Sequence, residues 1–134
     1  MLDQLTGRLD TLSSALQLRA QRQQILASNI ANVDTPGYIA RDIDFNTALQ
    51  NATSGQFQPS TVATHAAHRT ITSREGQIGN ALAYTVQTQP SLDGNSVDLD
   101  QRRANFADNA IRYESTLRFI NGHVKTMLSA ITGQ

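Results

Sequence analysis

The side chains able to do chemistry are few and thinly spread. His65 and His68, in Thr64-His65-Ala66-Ala67-His68, stand three apart, as half of a metal site would, but no third ligand lies near them and His123 belongs to a distant segment. A protein zinc site takes three or four ligands, so solvated loop histidines are the simpler reading. Asp42 and Asp44 flank Ile43 and from an extended strand would face one way, like the paired carboxylates of a glycosidase or a metal site. No pocket-forming framework surrounds them, and capping or ion pairing with Arg41 or a neighbouring subunit accounts for them better. The sequence has no cysteine, phosphate-binding loop, nucleophile elbow or zinc motif. The expectation is a non-enzyme with no catalytic residue, metal or cofactor. Asn29 and Asn32 are better arranged: three apart on a helix they share a face, where their amides can reach a partner or the carbonyls of a fraying helix end.

Those two asparagines sit in Ser28-Asn29-Ile30-Ala31-Asn32-Val33-Asp34-Thr35-Pro36-Gly37-Tyr38, where an apolar-periodic segment stops. Pro36 disfavours the α region at Thr35, and Pro36-Gly37 supplies the two central residues of a type II turn with positive φ at Gly37. The chain is expected to leave a helix near Val33 and to turn between Thr35 and Tyr38. Upstream, Leu2, Leu5, Leu9, Leu12 and Leu16 recur at spacings of three and four, the pattern of a helix packed on another helix. Continuing it puts Arg19 and Gln23 on the seam before Leu26, Ile30 and Val33 restore apolar character. The middle of the seam is therefore solvated or paired with polar partners. A helix from Leu2 to Asn32 would be about 46 Å long.

After the turn, Ile39, Arg41, Ile43 and Phe45 alternate with Ala40, Asp42 and Asp44, which predicts an extended segment, and Asp44 is placed to cap a short helical turn through Leu49. From Asn51 the composition shifts to Thr, Ser, Gln, Gly and Ala. Ala83 to Thr88 alternates like a strand, whereas Thr61 to Gly76 offers too little apolar surface to offset its ordering entropy and is expected to be partly disordered. Pro90 and Asp93-Gly94 punctuate the entry to a last helix, with Asn95 or Ser96 as N-cap and Asp98 and Asp100 favourable in its first turn. Along it Phe106, Ala110, Tyr113, Leu117, Ile120, Val124, Met127 and Ile131 repeat at four-three spacing, facing a seam that Leu9, Leu12 and Leu16 can complete. Asp108 with Arg112 and Glu114 with Arg118 add helix-face ion pairs, and Gly122 either admits a close neighbour or kinks the helix. On this reading Leu117→Asp would bury an unpaired carboxylate.

The fold expected is mainly α: a helix over 1–33, a turn and extended segment over 34–50, an extended, β-containing or partly disordered insert over 51–92, and a helix over 93–134. The two terminal helices are expected to form an antiparallel coiled coil. With 134 residues, 39% hydrophobic and only 5% aromatic, the chain fits one domain without a thick core, and its formal net charge of zero provides no basic footprint for nucleic acid. No stretch reaches membrane-spanning length, and Met1-Leu2-Asp3-Gln4-Leu5 lacks the basic and apolar regions of a cleaved signal. An extracytoplasmic role would need another exporter. A self-contained helical hairpin and an amphipathic helix on a membrane surface are the competing readings; a single lysine and arginines spread over both helices weaken the second.

The run Ser28 to Tyr38 resembles the S-x-N-I-A-N-x-x-T-P-G-Y signature of the flagellar rod, hook and axial protein family. The likeness continues upstream over Leu18 to Ala27, downstream over Ala40 to Phe45, and in the block Gln89 to Asp100 before the last helix. It implies an assembly signature at Asn29, Ile30, Asn32, Thr35, Pro36, Gly37, Tyr38, Arg41, Asp42, Phe45, Gly94, Asn95, Val97, Asp98 and Asp100. It also implies a structural subunit of the proximal rod of the bacterial flagellum, exported unfolded without signal cleavage, that polymerises into the periplasmic drive shaft around the export channel. The implied partners are copies of itself, other rod subunits, the adaptor FliE, the ring protein FliF and the flagellar export gate, with no nucleic acid, small-molecule substrate or membrane insertion. The short insert leaves little room for a separate outer domain, which favours a proximal-rod protein over a hook or distal-rod protein. The resemblance departs at Gln101-Arg102-Arg103, where related sequences often carry an acidic residue, so a salt bridge of that position does not carry over. A non-polymerising helical adaptor or chaperone of a secretion system is the alternative.

Overall fold

The computed structural model describes residues 2–54, 82–84 and 92–133. Two long helices dominate it, α1 (Leu2–Ala31) and α3 (Leu99–Thr132), with a short α2 (Phe45–Thr53) and two three-residue strands, β1 (Arg41–Ile43) and β2 (Leu82–Tyr84), between them. At 1.5 Å per residue the long helices measure about 45 and 51 Å. They run antiparallel, since Asn95 bonds near residues 32–35 while Asn109 bonds at Arg19 and Gln23. This is the mainly helical fold with packed terminal helices that the periodicity predicts. The strands pair antiparallel, with Asp42 opposite Ala83. The disorder expected of Thr61 to Gly76, the strand pattern at residues 85–88, His65, His68 and the side chain of Leu5 lie outside the described residues. Among those described, no helix is long and apolar enough to cross a membrane.

Local chemistry accounts for the boundaries. Asp44 caps α2, accepting the Thr47 amide and, at 2.6 Å, the Thr47 hydroxyl; the helix then runs on past Leu49 to Thr53. Asp98, not Asn95 or Ser96, caps α3 by accepting the Gln101 amide at 3.1 Å, and Asp100 lies in the first turn as expected. The sequence misplaces this cap because both earlier residues are excellent cap formers; the structure uses them elsewhere. Gly133, at φ 72°, closes the other end of α3 in the left-handed conformation.

The main apolar cluster lies to one side of the long-helix seam, on which Leu26 is fully buried. Leu18, Ile43 and Ala48 form its centre, with Ile25, Phe45, Leu49 and Ala52 packed against them, so it joins α1 to β1 and α2. Here α1 is covered on two sides. Beyond this region, among the described residues, α1 and α3 cover one another, and their seam carries many polar groups.

Candidate functional site

The turn after α1 is assembled by amide side chains standing in for backbone. Asn29 is fully buried; its Nδ2 donates to the Arg41 carbonyl at 2.6 Å, and its Oδ1 accepts the Arg41 amide at 3.2 Å and the Tyr38 hydroxyl at 3.3 Å. It thereby pairs with Arg41 as a neighbouring strand residue would. Asn32 turns inward on its own helix, donating to the Ser28 carbonyl and accepting the Thr35 hydroxyl. The two asparagines that the sequence sets on one face thus split the tasks of partner binding and helix-end capping. Tyr38 donates its amide to the Thr35 carbonyl across Pro36 and Gly37, and Gly37 has φ 70°, the type II geometry expected.

A second segment, far away in sequence, locks this turn. Asn95, 6% exposed, aims its Nδ2 at the carbonyls of Asn32, Val33 and Thr35, at 3.1, 2.7 and 2.8 Å. It ties down from outside the turn that follows the C-terminus of α1. Its Oδ1 accepts the Val97 amide. The Gly37 amide donates to the Asp93 carbonyl at 2.8 Å, the Ser96 amide to the Tyr38 carbonyl, and the Ala40 amide to Ser96 Oγ at 2.7 Å. A Cβ on Gly94, which has φ 74°, would sit 3.8 Å from the Gly37 Cα, so the open side of Gly94 rests against the Gly37 backbone.

Below the turn, Asp42 accepts two parallel hydrogen bonds from Arg22, each 2.9 Å, while Arg102 of α3 places a guanidinium nitrogen 3.9 Å from Oδ2, one of the two oxygens so bonded. The bidentate bond raises the Arg22 pKa against the opposing effect of burial. Arg102 is 3% exposed, and its Nε has no partner. Arg19 lies over the Phe45 ring at 4.2 Å; burial first, then the charges of Arg112 and Arg22, lower its pKa. Asp42 and Asp44 therefore serve different elements and make no carboxylate pair. Among the described residues, no three of His, Cys, Asp and Glu gather as metal ligands.

A family model described as flagella basal body rod protein matches residues 9–38, most of α1 and the turn after it. The flagellar basal body rod protein FlgB of Yersinia ruckeri is 44% identical over 138 aligned residues, covering 98% of each chain. FlgB of Escherichia coli K12 is likewise 44% identical, over 98% of this chain and 97% of its own, and FlgB of Cereibacter sphaeroides is 39% identical over 97% and 100%. The chain belongs to the FlgB family of flagellar basal body rod proteins. It is a component of the basal body rod.

In this chain the signature residues gather around the turn after α1 and the start of α3. Asn29, Thr35, Gly37, Tyr38, Arg41 and Asn95 meet in the bond network above, with Ile30 and Val97 half-buried and Pro36 exposed beside them. Asp42 and Phe45 anchor its lower edge through Arg22 and Arg19, and Asp98 and Asp100 open α3. Ser96, Arg22 and Arg102 complete it and were not legible as members. Arg102 stands within Gln101-Arg102-Arg103, where the sequence suggests that no salt bridge carries over; the cation instead meets Asp42.

The seam of α3 differs from the apolar stripe. Within the chain its most buried residues are Arg102, Asn109 and Thr116, followed seven residues on by half-buried His123. Phe106, Ile120 and Met127 are half-buried beside them, and Tyr113 is 37% exposed. Ala110, Leu117, Val124 and Ile131 are exposed, Leu117 at 40% and Ile131 at 81%. The expectation that the whole stripe faces α1 is therefore corrected: half of it borders the seam, and Ala110, Leu117, Val124 and Ile131 are exposed. Opposite, Leu9, Leu12, Leu16 and Ile30 are half-buried and Leu26 is fully buried. Of the two polar residues on the α1 seam, the Gln23 side chain finds a polar partner, Asn109 Nδ2 donating to its Oε1 at 2.6 Å; the same Nδ2 donates to the Arg19 backbone carbonyl at 2.9 Å, whereas the Arg19 side chain lies over Phe45 and its Nε has no partner.

Proposed function

We propose that this rod component is a structural subunit of the proximal rod, polymerising with copies of itself and other rod subunits into the periplasmic drive shaft that transmits torque and encloses the export channel. It catalyses nothing and holds no cofactor. The observation that carries this reading is the pair of antiparallel helices pinned at one end by the signature turn, with an apolar row of α3 left facing outward. Such a row suits burial by neighbouring subunits. The signature residues act in assembly by fixing the turn from which both helices project. FliE, FliF and the export gate are the further partners proposed at the rod base, reached without cleavage of a signal peptide.

Deletion of the gene is expected to abolish motility, and the protein to co-purify with wild-type basal bodies. Recovery solely as a soluble cytoplasmic complex would favour a secretion adaptor and overturn this assignment.

A further inference from the structure

α3 presents two rows of residues at seven-residue spacing to either side of the shared row Phe106, Tyr113, Ile120 and Met127. The polar row, Arg102, Asn109, Thr116 and His123, faces α1; the row Ala110, Leu117, Val124 and Ile131 faces out. This arrangement is unfavourable on both counts. Arg102 Nε, Asn109 Oδ1 and His123 Nε2 are buried without partners, while apolar side chains beside them stay in water. The mismatch extends to α1. Stepping seven residues along each helix from the Asn109 contacts at Arg19 and Gln23 sets Thr116 level with Leu12 and Leu16. A turn of α3 by about 50°, half the angle between successive helix residues, would bring Leu117 and Val124 against those leucines.

What opposes that turn at this level is the bonding of Asn109 to the Arg19 carbonyl and Gln23. We propose that Asn109 is a register lock: it holds α3 with its polar row inward so that the apolar row is not consumed by α1 of the same chain. Buried polar residues on helix seams select one register at a cost in stability. The outward row is thereby kept for neighbouring subunits, and in that respect the inference rests on the assembly reading above.

The absence of cysteine makes disulfide mapping clean. In the purified full-length subunit, the pair Leu16→Cys with Thr116→Cys is expected to close on oxidation, and Leu16→Cys with Leu117→Cys to close at least tenfold less. Adding Asn109→Ala, which removes both bonds and adds no apolar volume, should invert that ratio while helicity by circular dichroism is kept. Gln23→Ala, which removes the other end of the side-chain bond, should shift the ratio the same way. Continued dominance of the 16–116 disulfide in both backgrounds overturns the lock, as does loss of both disulfides, because unlocking should transfer the pairing and not abolish it. These measurements are made on the free subunit, so their failure would leave the rod assignment untouched. Absence of the wild-type protein from basal bodies would sink that assignment whatever the disulfides show.

Discussion

Gly37 carries the turn through conformation and not through space: at φ 70° it would meet nothing within 4 Å of an added Cβ. Gly37→Val should therefore destabilise by about 1–3 kcal/mol through backbone strain alone, whereas Gly37→Asn, tolerated in the left-handed region, should lose far less. Thermal unfolding of the two variants, compared with swimming, checks this; equal losses would show that the side chain meets a neighbour. Asn95 works by the opposite means, through its side chain. Asn95→Ala leaves the Val33 carbonyl without its donor and takes one of two donors from each of the Asn32 and Thr35 carbonyls, and should cost about 1–3 kcal/mol in urea unfolding. Asn95→Asp should do no better, because a carboxylate cannot donate to carbonyls.

At the scale of elements, carboxylates join the short pieces to the long ones. Asp42 ties β1 to α1 and α3, so Asp42→Asn should leave Arg102 buried without its counter-charge. A loss of about 2–4 kcal/mol is expected, toward the lower end of broken buried pairs because the Arg22 side chain keeps 20% exposure. Leu at the same place should be worse still. Asp44 has its pKa lowered, chiefly by the Thr47 hydroxyl and then by the Thr47 amide. A depressed carboxylate pKa means that its capping contribution is present above the unfolded value and is lost as pH falls through the folded one. Acidification should accordingly fray α2 in wild type, followed by amide exchange at Thr47 and Ala48. In Asp44→Ser, which caps without titrating, that dependence should vanish.

For the molecule as a whole, the two faces of α3 separate the stability of the subunit from the stability of the rod. Leu117 is 40% exposed, so Leu117→Asp should change the melting of the free subunit by less than about 1 kcal/mol yet prevent its recovery in basal bodies, since an aspartate buried against a neighbour lacks a partner. Thr116→Asp, one residue away on the buried side, should lower the melting temperature of the free subunit itself. A Leu117→Asp chain that melts like Thr116→Asp would place the apolar row inside the subunit.

Much of this architecture is written in local pattern. The leucine spacing of α1, the stop at Pro36-Gly37, the cap at Asp44 and the four-three repeat of α3 are each decided by backbone preference and helix period within a few residues, and the two long helices follow from them. Even the polar middle of the α1 seam was legible from Arg19 and Gln23. The cap of α3 and the rotation of that helix were not. Asn95 looks like a helix N-cap until the carbonyls of the turn after α1 stand within 3.1 Å of it, and Arg102 looks like solvated surface until Asp42 approaches. Apolar period alone turns Leu117 inward, because it weighs each residue by its own burial preference. Only the tertiary structure brings Asn109 to Gln23, and specific hydrogen bonds across helices 86 positions apart then outweigh the small difference between two adjacent faces.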